Sequence, residues 1–130
     1  MRWSMAWVLV FLLLAAPFTV QADGGRAAPN CSTQTSETLP PTLDIDPNMC
    51  VVVDLGLLQS GDVYDFSIIV VEDAIDVLFF DENSIQPYEL GQSYRSGMAE
   101  PASTEAALGA LEFHWKVPPS ISAKRWYMVL

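Results

Sequence analysis

The fold of this chain is decided by the stretch VYDFSIIVVE at residues 63–72, which lies near the middle of the sequence. Its apolar side chains occupy every second position: Tyr64, Phe66, Ile68 and Val70. The positions between them are wetter. A period of two predicts a β-strand with one apolar face and one more polar face.

Runs of similar character lie on both sides of this stretch. Residues 50–58 are rich in valine, residues 75–80 are apolar on both sides apart from one aspartate, and residues 110–117 alternate cleanly. Residues 125–130 begin a last strand. Short strands separated by turn residues, with no amphipathic helices of about 10 to 15 residues between them, predict an all-β fold, an antiparallel β-sandwich of the jelly-roll type.

The first 22 residues predict an export signal. Arg2 starts a short charged region, residues 5–18 form an apolar run, and Ala22 ends a small-residue cleavage site. The run is shorter than the about 20 apolar residues that span a bilayer, so a cleaved signal-peptide helix is favoured over a retained anchor. We therefore expect a secreted, extracellular or cell-surface protein that meets the membrane only transiently, through this signal.

Residues 23–47 have a different composition, rich in Gly, Pro, Ser and Thr, with few large apolar side chains. Such a segment buries too little surface to offset its ordering entropy, which predicts a flexible, disordered linker before a domain at residues 48–130. Within it, Asn30-Cys31-Ser32 matches the N-glycosylation acceptor pattern. The chain ends inside its predicted last strand, which indicates either a fragment or a sheet edge left for a partner.

The two cysteines, Cys31 and Cys50, predict a disulfide bond, because an even pair in an exported chain is normally oxidised. The bridge would join the linker to the first strand of the domain. The alternative is that Cys31 stays free or pairs with another molecule. Neither cysteine has metal-ligand spacing.

The charge of the chain excludes one class of partner. The formal net charge is −10, and removal of residues 1–22 removes Arg2 and no acid, which leaves −11. Affinity for nucleic acid comes mostly from Lys and Arg that neutralise phosphates. We therefore expect no nucleic-acid partner.

The order of several segments resembles secreted prokaryotic β-sandwich domains. The segments are a strand DVLFF (Asp76–Phe80), the turn Asp81–Asn83, a Tyr-containing loop at 88–95, FHWKVP at 113–118 and WYMVL at 126–130. Together they cover roughly residues 50–130 and resemble the pre-peptidase C-terminal-like and emp24/GOLD-like jelly rolls of archaeal and bacterial surface proteins. The resemblance implies an accessory or interaction module. In those domains the last strand usually runs on into an Asp-Asn pair, and its absence here indicates truncation.

Catalytic signals are weak. His114 is the only histidine, so any His-dependent triad must include it, yet its strand position places it beside Glu112 and Lys116 on the polar face. No GxSxG, GxGxxG or GxxxxGK[ST] motif is present. The sequence favours a protein that is not an enzyme, with a small secreted hydrolase as a remote alternative.

Acidic residues suggest a second alternative, a calcium-stabilised structural domain. Asp81, Glu82 and Asn83 form one oxygen-rich turn at the end of the third strand, and Glu72-Asp73 form another before it. Calcium takes six to eight oxygen ligands, so each turn alone is too small to bind it. The third strand separates the two turns, and one ion could bind both only if that strand folded back. Solvated turns are favoured, so the sequence predicts no cofactor, with calcium as the alternative.

The irregular segment 81–97 offers the best-placed binding residues. Tyr88, Tyr94 and Arg95 lie in it, and functional contacts concentrate on loops. Phe113, Trp115, Trp126 and Tyr127 could form a carbohydrate-stacking surface, but Trp115 and Trp126 share the inward parity of their strands, so core packing is favoured. The sequence as a whole predicts a secreted, non-catalytic β-sandwich module that binds a protein or surface-polymer partner, or that serves as the accessory domain of a larger exoprotein.

Overall fold

Segments rich in aliphatic and aromatic residues form four of the five strands in the computed structural model, which describes residues 27–130. Such side chains fit the pleated, half-buried surface of a sheet. The elements in chain order are β1 (Asn30–Thr35), β2 (Met49–Leu58), β3 (Val63–Asp81), the single-turn helix α1 (Gln86–Glu89), β4 (Thr104–Lys116) and β5 (Lys124–Val129). The all-β prediction is confirmed, and the predicted signal peptide lies outside the described residues.

The strands are hydrogen-bonded in the order β1-β2-β5-β3-β4. The β2–β5, β5–β3 and β3–β4 pairs are antiparallel, as the jelly-roll prediction requires, whereas β1 and β2 run parallel. The prediction of a wholly antiparallel sheet is therefore corrected at this edge. The physical reason is the long connection at residues 36–48, which returns the chain to the same end of the sheet before β2 starts.

Strand β3 bends back on itself. The sequence predicted two strands, at 63–72 and 75–80, and the structure joins them into one 19-residue strand. The rings of Phe66 and Phe79 lie 5.0 Å apart between centroids, although a straight strand would separate these residues by about 43 Å. The ladder to β4 is irregular between Val70 and Ile75, and Glu72 has a φ of 69°. The bend therefore lies at residues 71–74 and divides β3 into two halves.

The bend produces two layers, which is the sandwich architecture that the sequence predicted. One layer contains β1, β2, β5 and the C-terminal half of β3. The other, called here the ribbon, is the pairing of residues 63–70 of β3 with residues 109–116 of β4. The core between the layers consists of buried side chains from both: Val51, Val53, Val77, Phe79, Trp115, Val117, Trp126 and Met128 among others.

The opposite face of the first layer is also covered. Leu78 and Phe80 point away from the ribbon and pack in a second buried cluster with Val52, Ile85 and Tyr88. The segment that follows β3 supplies the cover. Residues 77–80 are fully buried on both faces, which explains why the run at residues 75–80 is apolar on both sides.

The predicted linker requires a correction at Asn30–Thr35, which forms β1 instead of an irregular segment. Two features hold this strand in place. It forms a parallel ladder with β2, and Cys31 lies directly opposite Cys50, with which it forms a disulfide bond at a Cα–Cα distance of 4.4 Å. The disulfide prediction is confirmed, and the bridge and the ladder together hold a polar segment in the sheet.

The last strand is not an edge. β5 lies between β2 and β3, and Leu130 after it exchanges two backbone hydrogen bonds with Val51, each 2.9 Å long. The hypothesis that β5 leaves an open sheet edge for a partner is therefore wrong. The outermost strands of the described chain are β1 and β4.

Candidate interaction surface

The outward side of the ribbon is a continuous surface that the alternating sequence pattern creates. Because side chains alternate across a strand, the inward residues of the ribbon enter the core and their neighbours face solvent. We call the outward set the ribbon face: Val63, Asp65, Ser67, Ile69, Val71, Leu108, Ala110, Glu112, His114 and Lys116. No third layer covers it within residues 27–130.

One end of the ribbon face is apolar. Ile69 and Val71 are each 72% exposed and Leu108 is 60% exposed, while Ala110 lies directly opposite Ile69. These four residues, called here the apolar cluster, lie beside the bend of β3. Contiguous exposed aliphatic side chains of this kind mark binding surfaces more often than isolated ones do.

The middle of the ribbon face is polar. His114 lies directly opposite Asp65 and its Nδ1 contacts the Asp65 carboxylate, while Glu112 lies opposite Ser67. The His114 and Asp65 side chains are 80% and 77% exposed, so water reaches both. A serine-hydrolase triad works with a buried carboxylate and preorganised oxyanion donors, and this open sheet surface lacks that enclosure. The geometry favours a solvated contact between two exposed polar side chains.

The basic residues of the described chain are mostly neutralised within the molecule. Arg2 and Arg26 lie outside residues 27–130, so four of the six Lys and Arg remain. Three of these four bind carboxylates: Arg95 to Glu105 at 2.9 Å, Lys124 to Asp81 at 3.3 Å, and Arg125 to Asp54 at 2.8 Å. The fourth, Lys116, lies on the ribbon face with no carboxylate partner among the described residues. Most of the acids are left unpaired, and the surface is strongly negative.

The calcium hypothesis is not supported at the turn Asp81–Asn83. Oδ1 of Asp81 accepts hydrogen bonds from the backbone N–H of Asn83 at 2.9 Å and from the N–H and hydroxyl of Ser84 at 3.0 and 2.9 Å. Oδ2 accepts one from the ammonium of Lys124. The carboxylate therefore caps a turn, and a lysine occupies the position that a cation would need.

The electrostatics of Asp81 agree with this assignment. Burial raises the pKa of the carboxyl, but the hydrogen bonds from Ser84 and Asn83 and the charge of Lys124 outweigh it, so the pKa lies below its usual range. Glu82, on the same turn, is exposed to solvent. No cluster of three or more His, Cys, Asp or Glu side chains suited to a metal ion occurs among residues 27–130.

The predicted binding loop is largely structural. Tyr88 is buried and lies within 5.1 Å of the Tyr94 ring and 5.7 Å of the Phe80 ring, measured between centroids. The interpretation of Tyr88 as a surface residue is therefore wrong, because α1 turns its ring onto the outer face of the first layer. The loop is part of the second cluster, so its aromatic residues are used for packing.

Tyr94 and Arg95 meet at one carboxylate. The Tyr94 hydroxyl and the Arg95 Nε each donate a hydrogen bond of 2.9 Å to Oε1 of Glu105. Burial, with the hydrogen bond and charge of Glu105, raises the pKa of Tyr94 to about 12. Arg95 remains exposed, but its charge is committed to Glu105, so the pair attaches the loop to the start of β4.

Asn30, the predicted glycosylation residue, begins β1 and is exposed. The next residue, Cys31, is half-buried in the disulfide bond. The acceptor nitrogen is therefore on the surface in the folded chain, and glycosylation at Asn30 stays a prediction.

Sequence reasoning overlooked the apolar cluster, although a signal for it was present. In residues 63–72 the outward positions begin with Asp65 and Ser67 but continue with Ile69 and Val71. A strand with one wet face should carry polar residues at all four positions. The departure from the pattern coincides with the exposed apolar end of the ribbon.

Comparison with known proteins identifies no relative of this chain: no family model matches it, and neither does any curated protein or solved structure. None of the helices within residues 27–130 is long and apolar enough to cross a membrane.

Proposed function

We propose that this chain is a secreted, non-catalytic β-sandwich module that binds a partner macromolecule through its ribbon face. The observation that carries the proposal is the apolar cluster. A free apolar surface of this kind on a small domain costs solubility, and burial against a partner recovers about 25 cal/mol per Å² of apolar surface. An accessory or interaction module resembling the pre-peptidase C-terminal-like and emp24/GOLD-like domains agrees with such a role.

The extracellular location is supported by two features of the chain. The disulfide bond between Cys31 and Cys50 is of a kind that persists in oxidising compartments. The N-terminal sequence pattern is that of a secretory signal. A net charge far from zero also keeps a small exported domain dispersed.

The proposal is tested by site-specific photo-crosslinking. A photoreactive benzoylphenylalanine placed at Ile69 and the same group placed at Ile121, which is fully exposed in the loop after β4, at the end of the ribbon opposite to the apolar cluster, make a matched pair. Both variants are expressed in the source organism and irradiated. We expect a discrete adduct from position 69 alone, lost when Leu108→Thr is added. Absence of an adduct at 69, or equal labelling from both positions, would contradict the proposal.

A further inference from the structure

We infer that the partner presents to the ribbon face a cationic polypeptide segment in which basic side chains flank aliphatic ones. This inference rests on the proposed function and specifies the chemistry of the partner. It is carried by the arrangement of charge around the apolar cluster.

The apolar cluster is bordered by carboxylates at both ends. Glu112, opposite Ser67, lies on the rung next to Ile69 and Ala110, and its side chain is exposed. At the other end, the exposed residues Glu72 and Asp73 follow Val71 within the bend of β3. The surface therefore offers an aliphatic centre between two negative ends.

The distance between these ends fits a short extended segment. Four steps along β3 lead from Ser67 to Val71, which is about 13 Å of extended strand, and Glu72 and Asp73 lie in the bend that follows. About five residues of an extended partner span that straight part. Two or three aliphatic side chains would then meet the apolar cluster while basic residues on each side reach the carboxylates.

The rest of the molecule reinforces this sign of charge. Three of the four basic residues in the described chain are held by carboxylates of their own. The fourth, Lys116, lies opposite Val63 at the end of the ribbon face away from the apolar cluster, so the acids beside the cluster are not offset. Long-range attraction of a cationic partner follows, since the summed charge of a protein steers oppositely charged partners towards it. The same field opposes nucleic acid, anionic membranes and a second copy of this chain.

The experiment uses three capped peptides and the complete mature protein. The probe is KKVIVKK, in which two lysines flank three aliphatic residues. KKGSGKK keeps the charge without the aliphatic centre, and EEVIVEE keeps the centre with the charge reversed. Binding is measured by fluorescence anisotropy of labelled peptides. We expect KKVIVKK to bind at least about tenfold more tightly than either control, a difference of about 1.4 kcal/mol.

Variants of the protein locate the binding site. Ile69→Thr with Leu108→Thr should weaken the binding of KKVIVKK about tenfold, and Glu112→Gln should weaken it about threefold, because each removes one part of the surface. The controls are Ile121→Thr and Glu89→Gln, which change an exposed aliphatic and an exposed acidic residue away from the ribbon face. Circular dichroism confirms that every variant is folded. We expect the controls to bind like the unchanged protein.

Salt and alternative occupants complete the test. Raising the salt concentration from about 0.1 to 1 M shortens the screening length from about 10 to 3 Å, so binding of KKVIVKK should weaken markedly. Equal binding of KKGSGKK, preferential binding of a chitosan oligomer, or a dimer in ultracentrifugation that Ile69→Thr dissociates would each overturn the inference. A crosslink from position 69 to a partner without basic segments would overturn it too, while leaving the proposed function intact.

Discussion

Removal of the disulfide bond tests whether β1 belongs to the cooperative domain. The bridge closes a loop with a sequence separation of 19 residues between Cys31 and Cys50. In the chain-entropy model a loop of that length corresponds to about 11 cal/mol/K, which is about 3 kcal/mol at 25 °C. We therefore expect the double variant Cys31→Ser/Cys50→Ala to lose about 3 kcal/mol of the free energy of unfolding. Alanine is chosen at position 50 because the Cys50 side chain is buried in the second cluster.

The assay is urea unfolding followed by tryptophan fluorescence, since Trp115 and Trp126 both lie in the core between the layers. The oxidised protein, the reduced protein and the double variant are compared. Reduced protein and variant should agree, and the variant should not respond to reductant. For a domain of about this size, a loss of about 3 kcal/mol lowers the melting temperature by about 12 to 24 °C.

One result would refute this reasoning. If the free energies of unfolding of the oxidised and reduced proteins differ by less than about 1 kcal/mol, β1 does not fold cooperatively with the rest of the domain. The reason is that closing a loop stabilises a fold only when both ends of the loop belong to the unit that unfolds. β1 would then be an attached segment outside the cooperative fold. The prediction is sharp because β1 is a polar edge strand that its ladder to β2 and the bridge hold in place.

Substitutions at Phe79, Asp81, Glu105 and Glu72 test four further features of the structure. Phe79→Ala should destabilise the protein by about 3 to 5 kcal/mol in urea unfolding, because the ring is fully buried among three aromatic neighbours. Asp81→Asn should lower the free energy of unfolding near neutral pH, and this deficit should disappear in unfolding experiments at acid pH. The reason is that the lowered pKa of Asp81 stabilises the fold at pH values above the usual carboxyl range, and this contribution is lost as the pH falls through the pKa of the folded state. Absorbance titration should show that Tyr94 ionises with a pKa of about 12, and the free energy of unfolding should fall as the pH rises between about 10 and 12. Glu105→Gln should lower the pKa of Tyr94 towards its usual value. Glu72→Gly should stabilise by about 1 kcal/mol in chemical unfolding, since φ is 69° at this residue, whereas Glu72→Val should destabilise by a similar amount.

The strands of the sandwich were predictable because their sequence pattern is local. Residues 63–72 and 110–117 alternate, and the apolar run 75–80 marks the central strand, so hydrophobic periodicity alone located them. The bridge between Cys31 and Cys50 followed from the count of cysteines in an exported chain. Strand β1 was not predictable from its own composition, because its order comes from that bridge and from pairing with β2.

The candidate site was less predictable than the fold because it depends on contacts between distant residues. Tyr88 and Tyr94 lie in an irregular segment, where polar-tipped aromatics suggest binding, and only the packing of Phe80 shows that they belong to a second core cluster. The sequence around Asp81 suggests a cation ligand, but in the structure its carboxylate binds Lys124, which lies 43 residues further along the chain. Sequence proximity shows neither contact.

The bend in β3 explains why the ribbon face exists at all. One strand supplies both the central strand of the first layer and half of the second layer, and its positive φ at Glu72 allows the reversal. The second layer is therefore only two strands wide, and its inward aromatic side chains already fill the space between the layers. Nothing in the described chain remains to cover the outward side. The exposure of Ile69, Val71 and Leu108 is thus a consequence of topology. A partner with aliphatic side chains of its own can bury these residues by packing against the outward side of the ribbon.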